Sequence, residues 1–243
     1  MSGNRPPAVP IVSGMSQNAP ERTTLVFDVL GTLVDQTGSL EREVEAATGF
    51  DASSVSDLVR RWLEYVTSQE QAITAGQRAF APSEVLDAEA LANLSVIGLV
   101  SPDVPARLDG ASERLSLWDD TLDGMSALAT ENAVFGLSNA SRRVLTDLSA
   151  GTGMRWHGLL SAEDARVYKP DPAVYRLALA DVPTRVAPPI MVAAHAWDLR
   201  AAKAAGMRTA YVPRPNGDPP LPRERFDIHA VDLEDLAVQL RRY

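Results

Sequence analysis

The stretch Thr24-Leu25-Val26-Phe27-Asp28-Val29-Leu30-Gly31-Thr32-Leu33-Val34-Asp35 decides the fold. Leu25, Val26 and Phe27 form an uninterrupted apolar run rich in strand-favouring side chains, the pattern of a parallel strand covered by helices on both faces. The run ends at an acid. Asp28 therefore falls at the carboxyl end of the strand, where open α/β sheets bind their ligands, and Gly31 permits the tight turn just beyond it. A carboxylate at such a rim is either a nucleophile or a side chain that hydrogen-bonds its own loop. The stretch alone leaves both open.

Outward from it, the chain changes character twice. From about Gln36 to Leu117 it reads as helices only. Ser39 is placed to cap one, Ser54 with Asp57 resembles a capping box ahead of Leu58, Leu63 and Val66, and Pro82-Ser83-Glu84 opens a third. Gly98 to Pro105 reads as a loop. From Trp118 strands and helices alternate. A helix over Leu122, Met125 and Leu128 precedes the strand Ala133-Val134-Phe135-Gly136-Leu137, which ends at Ser138-Asn139, and a helix starts at Arg142. A short strand near Leu159-Leu160 follows, then a helix capped by Asp171 with Pro172 at its first position. The strand Ile190 to Ala193, a helix from Leu199 to Ala205 closed by Gly206, the strand Thr209 to Val212 and a helix over Leu233, Leu236 and Leu240 complete the chain. Such alternation predicts a parallel sheet with right-handed crossovers.

Composition sets bounds. The 243 residues, 45% hydrophobic, suffice for one core domain with a smaller insertion. Residues 1–21, rich in Pro, Ser and Asn and without periodicity, read as a disordered tail rather than a signal peptide. With no apolar run of membrane length, a cytoplasmic protein is expected. There is no cysteine, so thiolate nucleophiles and cysteine-based metal sites are excluded. The net charge of −9 argues against nucleic acid and anionic membrane as partners, and it requires local positive charge wherever an anionic substrate binds.

Three further stretches reach the same predicted rim. Ser138-Asn139 offers a hydroxyl and an amide, or builds a turn. Lys169 lies between Tyr168 and Pro170-Asp171-Pro172; the proline holds it extended, so that its ammonium is pointed. Beside Asp28 such a cation would keep the carboxylate ionised and lower the repulsion felt by a carboxylate substrate. Tyr175 is a site residue or a packed helix aromatic. In Ala193-Ala194-His195-Ala196-Trp197-Asp198, the acid opens a helix as an N-cap or serves the rim.

Together these four stretches, spread from Thr23 to Val212, resemble the motifs of the haloacid dehalogenase superfamily, and most closely its type II, or L-2-haloacid, dehalogenase family. The resemblance implies a Rossmann-like α/β core, residues 22–35 and 118–243, with an inserted all-helical cap domain at 36–117. It identifies Asp28 as the nucleophile, Thr32 and Lys169 as the groups that hold it, and Asp198 as the acid that assists water. Ser138 would bind the substrate carboxylate, and Asn139, Trp197 and Arg60 would surround the halide, with Leu30, Tyr175 and His195 also lining the site. Superfamily phosphatases usually carry a general acid two residues after the nucleophile, where this chain has Leu30, and a further acid pair for magnesium near His195. Both departures favour carbon–halogen cleavage without a metal or other cofactor, because a halide leaves without a proton and two Asp make a poor site for a hard cation.

Some positions stand off the pattern. His195 takes the place of an Asn, Ala193 that of a Ser, and Ala140 that of a Gly. Ungapped spacing puts the family's halide-binding Arg at Val59, next to Arg60. A magnesium phosphatase and a binding protein without turnover therefore remain alternatives. The implied substrate is a small anionic 2-haloacid, and the implied assembly a homodimer.

Overall fold

The computed structural model describes residues 22–182 and 187–242. The expectation of a disordered tail over residues 1–21 lies outside them.

The strand at the centre is β1 (Thr24–Phe27), and β2 (Val34–Asp35) follows its turn. Next come α1 (Gln36–Thr48), α2 (Ala52–Thr74), α3 (Ser83–Val96) and the short α4 (Val104–Arg107). The chain then forms β3 (Ser116–Leu117), which pairs antiparallel with β2. Beyond it lie α5 (Thr121–Glu131), β4 (Ala133–Ser138), α6 (Arg142–Thr152), β5 (Gly158–Ser161), α7 (Pro172–Asp181), β6 (Ile190–Ala193), α8 (Ala196–Ala204), β7 (Arg208–Tyr211), β8 (Ile228–His229) and α9 (Leu233–Leu240). The result is an α/β fold, a Rossmann-like parallel core with a helical cap inserted after its first strand.

Among the described residues the main sheet has the order β5-β4-β1-β6-β7-β8 and is parallel throughout. The chain runs from β1 outward to β4 and β5, then returns across β1 to β6. Such a reversal leaves a crevice at the carboxyl ends of the strands on either side of it, and Asp28 follows β1 there.

Alternation along β1 explains the layers. Leu25 and Phe27 belong to the core shared with Leu128 of α5, Val144 of α6 and Leu233 of α9. Val26 faces the opposite layer, with Tyr175 of α7 and Leu199 of α8. All three β1 side chains are fully buried, and each contributes about 1.5–3 kcal/mol of burial. The uninterrupted apolar run is thus the signature of a strand with no solvent face.

Local expectations are corrected in several places. Asp35 caps α1 by accepting from the Gly38 N–H, while Ser39 is buried inside that helix and accepts from the Ser116 N–H. Asp51, not Ser54, caps α2 through the N–H groups of Ser53 and Ser54. The segment Gly98 to Pro105, expected as loop, runs into α4 at Val104, and the stretch expected to lack strands ends in β3. Helix α8 begins at Ala196 rather than Leu199, and β8 had no counterpart among the expected strands.

Candidate active site

Asp28 leaves β1 with its N–H bonded to the Val192 carbonyl of β6 at 3.0 Å, so its backbone is fixed by the neighbouring strand. Its side chain is held from both sides. The Thr32 hydroxyl donates to Oδ2 at 2.7 Å, and the Lys169 ammonium donates to Oδ1 at 3.0 Å. Thr32 is oriented in turn, since its Oγ1 accepts from the Ala194 N–H at 3.0 Å. The turn between Asp28 and Thr32 needs Gly31. Its φ is +80°, and a Cβ there would lie 2.6 Å from His195 Nε2.

Lys169 bridges two carboxylates. Nζ also donates to Asp198 Oδ2 at 2.7 Å, and the Tyr175 hydroxyl donates to Asp198 Oδ1 at 2.5 Å. Asp198 is fully buried, and the Lys169 side chain is 1% exposed. Burial disfavours the ammonium, but the charges of Asp198 and Asp28 outweigh it and hold the Lys169 pKa above its ordinary value. Burial, with the charge of Asp28, pushes Asp198 upward against the pull of Lys169, which makes Asp198 a better proton acceptor. Burial and the Asp198 charge likewise raise Tyr175, so its hydroxyl stays a donor. Asp198 is not a helix cap: His195 takes the cap position of α8, without a side-chain capping bond, and Asp198 turns inward from the first turn.

Asp28 and Lys169 open onto a cavity of about 290 Å³ between the sheet rim and the helical insertion, whereas Thr32, Asp198 and Tyr175, the last expected to line the site, are fully buried behind its wall. Asp28, Leu30, Ser138, Asn139, Lys169, His195 and Trp197 all line it. Ser138 Oγ accepts from the Ala140 N–H at 3.1 Å. The Asn139 amide is tied on both sides, Oδ1 accepting from the Lys169 N–H at 2.9 Å and Nδ2 donating to Glu70 at 3.0 Å. His195 stacks on Trp197, with ring centroids 5.9 Å apart.

Arg60 is not brought to the cavity. It lines a shallow groove on the outer side of α2 and pairs with Asp57 and Glu64, its side chain 52% exposed. Val59, where the spacing falls, is buried in the core. Among the described residues no arginine lines the cavity.

The cavity wall includes residues that the sequence pattern did not single out. Glu70 of α2 and Asp87 of α3 line it, as do Ser112 and Trp118. The Trp118 indole N–H donates to the Gly31 carbonyl at 3.2 Å. Behind it Arg214 donates to the Thr32 carbonyl at 2.8 Å, pairs with Asp120 at 2.8 Å and lies over the Trp118 ring. Burial raises the Glu70 pKa to about 8, with the charge of Asp87 adding to it and Asn139 and Lys169 opposing. Asp87 is also raised by burial, although it accepts from Trp62 Nε1 at 2.7 Å and Ser112 Oγ at 2.8 Å. Among the described residues no cluster of three His, Asp or Glu side chains is arranged to hold a metal ion. The space between Asp28 and Asp198 is filled by the Lys169 ammonium, a monovalent cation supplied by the chain itself.

Known proteins resemble this chain in sequence and in fold. A family model described as haloacid dehalogenase-like hydrolase matches residues 23–206. The (S)-2-haloacid dehalogenase 1 of Pseudomonas sp. strain CBS-3 is 31% identical over 198 residues, spanning 79% of this chain and 84% of that protein. A crystal structure of an L-2-haloacid dehalogenase is similar at TM-score 0.80 and 32% identity, over 92% of this chain and 100% of the other. That of a defluorinating L-2-haloacid dehalogenase is similar at TM-score 0.81 and 28% identity, with the same coverage.

Proposed function

The chain belongs to the haloacid dehalogenase-like hydrolases, and from that we propose that it is a metal-independent hydrolase of carbon–halogen bonds acting on short 2-haloalkanoic acids. The observation that carries this reading is Lys169 bridging Asp28 and Asp198, where Leu30 offers no acid for a leaving alcohol. One carboxylate oxygen of Asp28 attacks the α-carbon in line. The carbon–halogen bond breaks, the halide leaves with the bonding pair, and an aspartyl ester remains with the α-carbon inverted. Water then adds to the Asp28 carboxyl carbon and gives a proton to Asp198. Collapse of the adduct expels the 2-hydroxyacid oxygen, which takes the proton back from Asp198, and loss of the remaining hydroxyl proton restores the Asp28 carboxylate; overall one proton and one halide are set free.

The remaining roles are part of the same proposal. Thr32 and Lys169 hold Asp28, and Tyr175 keeps Asp198 oriented. Ser138 and the amides after Asp28 bind the substrate carboxylate, while Trp197, Leu30 and His195 bound the halide. Asn139 acts at the edge of this pocket with both ends of its amide engaged. Arg60, turned to solvent, is left out of the halide site.

Core residues 22–35 and 118–243 with a cap at 36–117 constitute the proposed domain division. A cytoplasmic homodimer is part of the same reading. Val96 and Ile97 at the end of α3, 83% and 54% exposed, offer an apolar surface for pairing through the caps. Light scattering on the purified protein tests the assembly.

The activity test is halide release from L- and D-2-chloropropionate and from haloacetates, with and without EDTA. Release from the L form that resists EDTA is the expected result. EDTA-sensitive phosphate release from a phosphate monoester would instead indicate a magnesium phosphatase, and silence in both assays a protein without turnover. Asp28→Asn is expected to lose halide release by roughly 10⁴-fold or more, as removal of a nucleophile does elsewhere.

A further inference from the structure

The cavity has too little positive charge for an anion. Lys169 is shared between Asp28 and Asp198, no arginine lines the wall among the described residues, and Glu70 and Asp87 enter from the helical insertion. Were all these carboxyls ionised, a carboxylate substrate would meet an excess of like charge at close range. Neutral donors must therefore hold the substrate carboxylate.

Glu70 is placed to be such a donor. Asn139 fixes which of its oxygens is engaged: because Asn139 Oδ1 accepts from the Lys169 N–H, its Nδ2 is turned toward the cap and donates to Glu70 Oε2. Glu70 lines the cavity, and Oε1, the oxygen that Asn139 leaves unengaged, is the one available to carry a proton to a ligand there. Among the described residues no cation pairs with Glu70 that would hold it ionised. The charged and titratable groups around it are Asp87 from α3, Asp28 and His195 from the loops after β1 and β6, and Tyr168 and Lys169 from the loop before α7. Asp87 raises the cost of a charge on Glu70, and Lys169, already shared by two other acids, only partly offsets it.

We propose that Glu70 is a specificity-determining residue that admits a carboxylate ligand only while its own carboxyl is protonated, donating to that ligand from Oε1, and repels it once ionised. This deepens the dehalogenase reading and rests on it for the identity of the ligand. Its consequence is that capture of the anion, rather than the chemistry on Asp28, weakens as pH rises through the range in which Glu70 titrates.

The experiment uses propionate, which carries the carboxylate but no leaving group, so binding is read without turnover. With Glu70 titrating near pH 8, calorimetry on the full chain is expected to show propionate affinity falling about thirtyfold between pH 6.5 and 9.5. Glu70→Gln retains an oxygen for Asn139 and a donor for the ligand but cannot ionise; its affinity is expected to stay within about threefold over the same interval. An equal fall in both proteins would show that another group governs binding and overturn the proposal, as would a flat native profile or no propionate binding to either. Should Glu70→Gln fail to fold, Asp87→Asn serves. Removal of that neighbouring charge is expected to shift the midpoint of the binding profile to lower pH than in the native protein, and an unmoved midpoint would overturn the proposal. Halide release from 2-chloropropionate, followed in parallel, judges the dehalogenase reading separately, because it can succeed while the Glu70 dependence fails and fail while propionate still binds.

Discussion

Lys169 holds together two carboxylates that would otherwise repel one another inside the protein. Its side chain is 1% exposed, and it lies 3.0 Å from Asp28 and 2.7 Å from Asp198. Breaking a buried pair by removing one partner is far costlier than the net worth of the pair, because the charges left behind have neither water nor counterion. Lys169→Met is therefore expected to destabilise the fold by about 3–5 kcal/mol in urea titration and to abolish halide release. A variant with unchanged stability would show that the two acids had shed their charges. The reason that Lys169, Asp28 and Asp198 were legible in the sequence is the same in each case. Each lies where the backbone is constrained: Asp28 follows β1 ahead of Gly31, Lys169 precedes Pro170 and Pro172 in the loop before α7, and Asp198 sits in the first turn of α8. Glu70 and Asp87 carry no such mark. They sit inside long helices, away from any strand end or proline, and only the packing of α2 and α3 over the rim brings them to the cavity. Trp118 and Arg214 escaped for a similar reason, since their contacts join segments far apart in the chain.

At the scale of elements, the sheet was readable because a strand buried on both faces must be apolar throughout, and β1, β4 and β6 obey that rule. Strands of two residues, β2, β3 and β8, were not, because so short a run leaves no period to detect. Caps show a different limit. Several capping residues stood near each helix start, and at α1 and α2 the chain uses the earlier acid, Asp35 and Asp51, rather than the serine. Helix α6 shows what such a cap contributes beside the site. Ser141, buried, accepts from the Val144 N–H at 3.3 Å, while its own N–H donates to Ser83 Oγ at the start of α3. One residue thus ends the rim loop of β4, starts α6 and touches the helical insertion. Ser141→Ala is expected to cost about 1 kcal/mol of stability and to lower the thermal midpoint. The bond to Ser83 comes from the backbone and survives, so halide release at 25 °C should stay within about twofold. A larger loss of activity would mean that the cap also sets the position of Asn139.

For the molecule as a whole, the buried acids of the site determine how stability follows pH. Glu70 has a folded pKa of about 8 against an ordinary value of 4.5, so between those limits the folded chain binds a proton that the unfolded chain has released. Stability changes with pH in proportion to protons bound in the unfolded state minus those bound in the folded state, which here is negative. The contribution of Glu70 is therefore fully present below about pH 4.5 and is lost as pH rises toward 8. Asp87, raised by burial, acts with the same sign, while the raised Lys169 keeps its contribution until well into the alkaline range. Glu70→Gln removes one of these terms alone. Its stability in urea titration is expected to match that of the native protein near pH 4 and to exceed it increasingly toward pH 9, by no more than about 3 kcal/mol because Glu70 is only half-buried and solvent screens the charge. Parallel curves for the two proteins would show that Glu70 ionises in the fold as it does in the open chain, and the cap would then present a plain negative charge to the cavity.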